Sequence, residues 1–195
     1  MKRFLLILLL LLQFVAPADA QTVWQIAPGP SLITFKIKHL IFLIVEGRFR
    51  KFDGTVVTHN EDMTNSDLEV RIQADSIYTG IEDRDRDLSG QNFFDSKKFP
   101  EIFFKSRKIE KGSEEGFYRV WGNLTMKGIT KPIELIAKYQ NQRQLSNGKI
   151  RMDFVVAGTL NRFDYGIDWN DFLDSKAIVG DQVEIQMKIA LLKEA

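Results

Sequence analysis

Residues 183–191, which read Val-Glu-Ile-Gln-Met-Lys-Ile-Ala-Leu, decide the fold of this 195-residue chain. An apolar side chain occupies every second position. Because successive side chains of a β-strand point to opposite faces, this period of two predicts a strand with one apolar face and one face in water. Runs with the same period lie at residues 32–38, 68–73, 118–126, 133–139 and 152–160, and residues 102–107 also read as a strand, although Phe103 and Phe104 blur its period.

Turn signals separate these runs. Pro28-Gly29-Pro30 divides the first two strands, Lys127-Gly128 and Pro132 bracket a short reversal, and Asn147-Gly148 is a hairpin signal. Some eight strands in succession predict an all-β, antiparallel sandwich or barrel, and a closed barrel would leave no exposed edges. The chain shows no internal repeat and no linker, so we expect a single domain over residues 21–195.

Two stretches break the alternation, residues 80–98 and 162–181. Thr79 and Glu82 have the spacing of a capping box, which predicts a short helix at this point. Both stretches mix charges with aromatic residues, a combination that favours loops or short helices closing a barrel end.

The first 20 residues have the three parts of a secretory signal. Lys2 and Arg3 are followed by an apolar run over residues 4–12 and by Ala18-Asp19-Ala20. This pattern predicts cleavage after Ala20, a periplasmic or secreted protein, and no integral membrane span after cleavage. A retained anchor is the rival interpretation, although the run is shorter than the roughly 20 residues that span a bilayer.

Charge and composition exclude several classes of function. The net charge is +1 at pH 7 and no basic stripe is present, which argues against nucleic acid as a partner. The absence of cysteine excludes disulfides, thiol catalysis and zinc–thiolate sites.

No catalytic constellation stands out, and we expect neither an enzyme nor a catalytic cofactor. The two histidines, His39 and His59, lack a nucleophile elbow or a metal-binding spacing. The acids of residues 164–174 lack the spacing of a calcium loop. Acid pairs within residues 83–87 and 164–168 leave a hydrolase on a barrel scaffold as an alternative class.

Six motifs in order resemble the YceI-like polyisoprenoid-binding proteins. They are residues 33–40 (Ile-Thr-Phe-Lys-Ile-Lys-His-Leu), 45–54 (Val-Glu-Gly-Arg-Phe-Arg-Lys-Phe-Asp-Gly), 76–100 with Arg84-Asp85 and Phe93-Phe94-Asp95, 122–128 (Gly-Asn-Leu-Thr-Met-Lys-Gly), 161–167 (Asn-Arg-Phe-Asp-Tyr-Gly-Ile) and 179–183 (Val-Gly-Asp-Gln-Val). The resemblance runs from Trp24 to Ile189, which is nearly all of the chain that follows residue 20.

The resemblance implies a lipocalin-like antiparallel β-barrel of about eight strands with one or two short helices closing it. It further implies export to the periplasm, a bound polyisoprenoid lipid such as a prenyl quinone, polyprenyl alcohol or polyprenyl phosphate, and a homodimer. In one place the sequence departs from the family, since Asp87 stands where the family has histidine. An ionised carboxylate accepts hydrogen bonds but donates none.

These observations predict a binding site rather than a catalytic one. The apolar tunnel and its cover are predicted from Phe35, Ile37, His39, Phe49, Val70, Ile72, Phe93, Phe94, Phe104, Val120, Leu124, Phe154, Val156, Phe163 and Tyr165. A second group, Arg84, Asp85, Asp87 and Arg162, either fixes a lipid head group or locks the loops over the barrel end. We expect a protein that stores or carries a polyisoprenoid lipid; the alternative is a stress-response or structural barrel whose core is filled.

Overall fold

The computed structural model describes residues 21–39, 43–59, 63–168 and 179–193. The strands are β1 (Thr22–Ile26), β2 (Leu32–His39), β3 (Leu43–Phe49), β4 (Phe52–Thr58), β5 (Asp67–Gln73), β6 (Ile77–Tyr78), β7 (Glu101–Lys111), β8 (Phe117–Met126), β9 (Ile129–Gln144), β10 (Ile150–Asn161) and β11 (Val179–Lys193). One α-helix, α1 (Glu82–Ser89), and two single-turn 3₁₀ helices, Ala74–Ser76 and Arg162–Tyr165, complete the described elements. The predicted signal segment lies outside the described residues.

The strands close into an antiparallel barrel, as predicted. Strands β1, β4, β5, β7, β8, β9, β10 and β11 are hydrogen-bonded in that order, and β11 returns to β1 through Gln25–Leu192 and Ile26–Leu191. Three of the eight strand positions in the barrel wall are each occupied by two consecutive strands, because β2 continues β1, β4 continues β3 and β6 continues β5. The N-terminal part of β11 pairs with β2, β2 pairs with β3, and β3 pairs with β6.

Serine hydroxyls satisfy the backbone where two of these strands break. The Pro28–Pro30 segment separates β1 from β2, and the Oγ of Ser31 accepts a hydrogen bond from the Ala190 backbone N at 2.9 Å. The Oγ of Ser76 accepts from the Lys51 backbone N at 3.1 Å and donates to the Gln73 carbonyl at 2.6 Å. Buried backbone groups must be paired, so these hydroxyls allow the wall to bend without leaving orphan amides.

The turns largely follow the sequence signals, with one correction. Lys127 and Gly128 have φ values of 52° and 75° and join β8 to β9, and Gly148 (φ 87°) closes the β9–β10 hairpin. Pro132, however, does not bracket the reversal but lies inside β9, opposite Asn123. Proline is tolerated there because β10 pairs with β9 only from Leu135 onwards, so no ladder hydrogen bond is lost on that side.

The short helix forms where predicted, but not through the predicted cap. Ile81 is the N-cap residue of α1, and it makes no side-chain cap. Instead, the backbone N and the Oγ1 of Thr79 both donate to Oδ1 of Asp85, at 2.7 and 2.5 Å. The carboxylate that reaches back therefore comes from Asp85 rather than from Glu82.

The two ends of the barrel differ in their connections. We call the end where β2 joins β3, β6 joins β7, β8 joins β9 and β10 joins β11 the helix end, because it carries α1 and the 3₁₀ turn Arg162–Tyr165. The other end, where β4 joins β5, β7 joins β8 and β9 joins β10, is the opposite end.

Candidate functional site: an apolar cavity in the barrel

The interior of the barrel holds a cavity of about 270 Å³. Its lining runs from Arg162, Ile167 and Val179 at the helix end to Met63 and Ile109 at the opposite end. All lining residues are apolar except Thr34, Tyr118 and Arg162. An eight-stranded barrel has an interior just wide enough for one slim ligand, and an apolar cavity stays dry unless such a ligand fills it.

Twelve of the predicted tunnel residues line this cavity. They are Phe35, Ile37, Phe49, Val70, Ile72, Phe93, Phe94, Phe104, Val120, Leu124, Phe154 and Val156. Ten of them come from strands, where the period of two identifies the inward face. Met63 and Leu88 also line the cavity from outside the strands. Neither is among the predicted tunnel residues, because a connecting loop and a helix of eight residues give no periodic signal.

Three predicted tunnel residues stand apart. Phe163 is 43% exposed on the outside of the helix end, with the Arg162 guanidinium 4.5 Å from its ring centre. Tyr165 is 1% exposed but is not part of the cavity wall. The side chain of His39 lies outside the described part of the chain. Neither Phe163 nor Tyr165 lines the cavity: Phe163 faces the solvent, and Tyr165 packs in the hydrophobic core beside it.

Glycines opposite aromatic rings shape the cavity wall. Phe35 pairs with Gly47 across β2 and β3, and a Cβ added at Gly47 would come within 2.3 Å of the Phe35 ring. A Cβ added at Gly122, which pairs with Ser106 on the neighbouring strand, would likewise come within 2.3 Å of the Phe104 ring. Each ring thus lies flat against the neighbouring strand, which keeps the middle of the barrel open although large side chains line it.

The cover at the helix end is carried by the connection between β6 and β7. Phe94 meets Phe49 edge-on, with ring centres 5.7 Å apart, and Phe49 in turn contacts Phe35 at 5.9 Å. Backbone hydrogen bonds from Phe94 N to Leu88 O (3.0 Å) and from Asp95 N to Gly90 O (2.8 Å) fold this segment onto α1. Helix α1 and the Phe94 cover therefore form one unit across the barrel end.

Arg162 is a buried cation that holds the neighbouring connection in place. It is 4% exposed, and its guanidinium donates to the carbonyls of Ile167 (2.6 Å), Gly180 (2.9 Å) and Val179 (3.1 Å). Burial lowers the pKa of Arg162, while Asp168 and Asp181 act in the other direction. These bonds tie the two ends of the β10–β11 connection together, so the geometry of Arg162 is that of a loop lock.

The other predicted charged residues stay on their own connection. Arg84 donates to Oγ1 and O of Thr79 at 2.8 and 3.0 Å, and Asp85 accepts from the same threonine. Asp87 is exposed on α1. No pattern in the sequence indicates that Thr79 is the shared partner of Arg84 and Asp85.

The described residues hold no cluster of three or more histidine, aspartate or glutamate side chains arranged to bind a metal ion. None of the helices in the described ranges is long and apolar enough to cross a membrane. What these residues do offer is an apolar enclosure with one buried cation at its helix end.

Comparison with known proteins agrees with this fold. A family model described as YceI-like domain matches residues 24–191. A UPF0312 protein of Pectobacterium atrosepticum is 33% identical over 137 residues, which is 70% of each chain.

Solved structures show the same architecture. The crystal structure of BcnA from Burkholderia cenocepacia matches with a TM-score of 0.73 and 21% identity, covering 85% of this chain and 98% of that one. A structure described as a polyisoprenoid binding domain from Saccharophagus degradans, implicated in plant cell wall breakdown, matches with a TM-score of 0.68 and 15% identity, covering 87% and 98% of the two chains.

Proposed function

Because the chain belongs to the YceI-like family, we propose that it binds a long-chain polyisoprenoid lipid in the barrel cavity and stores or carries it in the periplasm. The observation that carries this proposal is the cavity itself, which has an almost wholly apolar wall reaching from one end of the barrel to the other. The alternative, a structural barrel with a filled core, predicts no such cavity.

The chemistry of the wall suits a prenyl tail. Each methylene group that leaves water contributes about 0.8 kcal/mol, so a few isoprene units support tight binding without polar contacts. Methyl-branched tails also match a wall built from isoleucine, leucine, valine and phenylalanine. The described hydrogen bonds of Arg162 go to backbone carbonyls, so we propose that the tail, rather than the head group, supplies most of the affinity.

Native mass spectrometry of gently purified protein, followed by organic extraction, tests the proposal. We expect a lipid-sized mass excess that organic solvent removes, and binding of an added prenyl quinone by the emptied protein. If no lipid is extracted and the quinone does not bind, the proposed function is wrong.

A pair of matched substitutions locates the site. Phe94→Asp places a charge on the cavity wall, and burying it against lipid is unfavourable, so we expect it to lose the quinone while remaining folded. Phe163→Asp makes the same change on an exposed aromatic of the same barrel end and should bind as the unmodified protein does. Equal affinity of the two variants would place the lipid elsewhere.

A filling substitution tests the cavity without adding charge. Ala137 faces the lumen from β9, and Ala137→Phe should occupy the space that the lipid needs. We expect lost quinone binding together with an unchanged or higher unfolding midpoint, since the new ring fills a void rather than displacing packed atoms. Retained binding would argue against this cavity.

Export is the second half of the proposal. The signal-like residues 1–20 support it, and the intact mass of the protein from a periplasmic extract measures it. We expect a chain that begins at Gln21; an uncleaved chain in the membrane fraction would support the anchor instead.

A further inference from the structure

Exposed apolar side chains gather at the helix end. The described residues include nine exposed large hydrophobic side chains, and five of them, Leu43, Ile44, Ile81, Ile129 and Phe163, lie on or beside the four connections of this end. Each of the four connections contributes at least one. The other four lie in strands β1, β9 and β10.

The tip of the β2–β3 hairpin is the most exposed part of this set. Leu43 is 56% and Ile44 is 61% exposed. As neighbours on one strand, they point to opposite faces of the hairpin, so packing of one face against the barrel would leave the other uncovered. The connecting residues 40–42, Leu-Ile-Phe in the sequence, lie outside the described residues.

The apolar row of the cavity continues into this tip. Leu43 shares its strand face with Val45, Gly47 and Phe49, and Phe49 is part of the cavity wall. Across the hairpin, Val45 pairs with Ile37, which also lines the cavity. One face of the hairpin therefore runs from the lumen towards the solvent without an aspartate, glutamate, lysine or arginine among the described residues, and His39 is the partner of Leu43 at its outer end.

Charges of both signs surround these positions. Lys38 lies opposite Ile44, and exposed Lys97 and Lys98 lie on the β6–β7 connection. Exposed Glu82, Asp83, Asp87 and Asp164 lie on the same end. Because charges of both signs are mixed at this end, they do not attract an anionic surface strongly. Any docking there must therefore depend on the apolar side chains.

We propose that the helix end docks on a lipid bilayer, with Leu43 and Ile44 inserted among the acyl chains, and that the lipid enters the cavity along the inner face of the β2–β3 hairpin. This proposal rests on the proposed lipid-binding function. The partner is a bilayer because the exposed apolar side chains are spread over four connections and separated by charges, which suits a soft apolar medium better than a matched protein surface. The cargo, a water-insoluble lipid, must also come from a membrane.

Vesicle flotation with the Leu43→Asp/Ile44→Asp double variant tests this docking. The matched control is Val23→Asp/Val155→Asp, which adds the same charge at two exposed valines of the outer wall. On phosphatidylcholine vesicles we expect the partition coefficient of the tip variant to fall by about tenfold or more, and that of the control to stay unchanged. Binding of the unmodified protein to the vesicles should persist in about 0.5 M NaCl. At this salt concentration attraction between surface charges is screened over distances well below about 10 Å, so the binding that remains must come from apolar contacts.

A transfer assay separates docking from lipid binding. The tip variant should bind a prenyl quinone in detergent as tightly as the unmodified protein, yet move it between donor and acceptor vesicles at least about tenfold more slowly. If the tip variant floats and transfers like the control, the docking proposal is wrong. It is also wrong if flotation needs phosphatidylglycerol and disappears in salt, or if the tip substitutions only convert a dimer into a monomer in light scattering. If the unmodified protein floats but binds no quinone in detergent, the proposed function fails and the docking stands.

Discussion

The two ends of this barrel close the same cavity in different ways. At the opposite end, the described connections are short and polar, Gly-Ser-Glu-Glu-Gly at residues 112–116 and Leu-Ser-Asn-Gly-Lys at residues 145–149. At the helix end, the β6–β7 connection alone spans residues 79–100 and carries α1 together with Phe93 and Phe94.

The difference shows how much each end depends on the rest of the molecule. The Asn147-Gly148 turn is held locally, by Leu145 N to Lys149 O at 2.8 Å and Gly148 N to Leu145 O at 2.9 Å. The helix end is held by contacts across the sequence, such as Arg162 to Val179 and Lys127 Nζ to Gly166 O at 3.0 Å. The β9–β10 turn is thus held by its own residues, whereas the β8–β9 and β10–β11 connections are held by partners that only the folded barrel brings together.

The largest expected effect comes from removing the Arg162 lock. Arg162→Met keeps the length of the side chain but leaves three carbonyls, those of Ile167, Val179 and Gly180, without this donor. Because unsatisfied buried polar groups are unfavourable, we expect a loss of about 3 kcal/mol or more in the free energy of unfolding, measured by urea denaturation.

The control for this variant lies at the opposite end. Arg143→Met removes an exposed ion pair with Asp153 (3.2 Å) and should change the free energy of unfolding by less than about 1 kcal/mol. Similar losses in both variants would show that the helix end is no more tightly held than the other.

A smaller effect separates the two turn glycines. Gly128 at the helix end and Gly148 at the opposite end both have positive φ, 75° and 87°, so alanine is strained at either position by about 1 kcal/mol. A Cβ at Gly128 would also come within 2.7 Å of the Phe99 ring, whereas Gly148 has no atom within 4 Å.

We therefore expect Gly128→Ala to lower the free energy of unfolding by about 2–3 kcal/mol and Gly148→Ala by about 1 kcal/mol. Urea unfolding midpoints of the two variants give the comparison. Equal losses would mean that Phe99 moves aside freely and that the helix end tolerates more change than its contacts indicate.

The sequence predicts the strands of the barrel better than the connections at its helix end. Alternation correctly gave the inward faces of the strands, because burial on one side of a sheet enforces a period of two. Even the ambiguous Phe103 and Phe104 resolve in this way, with Phe104 in the cavity wall and Phe103 outside beneath Arg71. The glycine turns were equally readable, since positive φ leaves few other choices.

The helix end could not be derived in the same way, because irregular segments have no period. Phe94 and Phe163 lie in the two stretches that break the alternation and share one predicted role, yet Phe94 faces the cavity and Phe163 the solvent. The carbonyl partners of Arg162 include residues 17 and 18 positions further along the chain, a distance over which no local pattern acts. Membership of the YceI-like family supplied the lipid hypothesis, which periodicity alone does not contain.

The smallest effect concerns two hydroxyls, one at each end. Tyr165 OH at the helix end and Ser66 Oγ at the opposite end are buried without a hydrogen-bond partner among the described residues. Removing such a group relieves its desolvation, so Tyr165→Phe and Ser66→Ala should each raise the free energy of unfolding at pH 7 by up to about 1 kcal/mol.

Only the helix-end hydroxyl also titrates, and this makes the pair informative. Burial, with a smaller effect of Asp164, raises the pKa of Tyr165 from 10.0 to about 12. Between these two pH values the unfolded phenol has lost its proton while the folded one keeps it, so the unfolded state binds fewer protons and the protein loses stability as the pH rises above 10. The gain from Tyr165→Phe should therefore grow from pH 10 to pH 12, whereas the gain from Ser66→Ala should stay constant, which urea titrations at pH 7, 10 and 11 can measure. A gain from Tyr165→Phe that is flat with pH would show that water reaches the phenol, and the helix end would then be less tightly closed than its packing indicates.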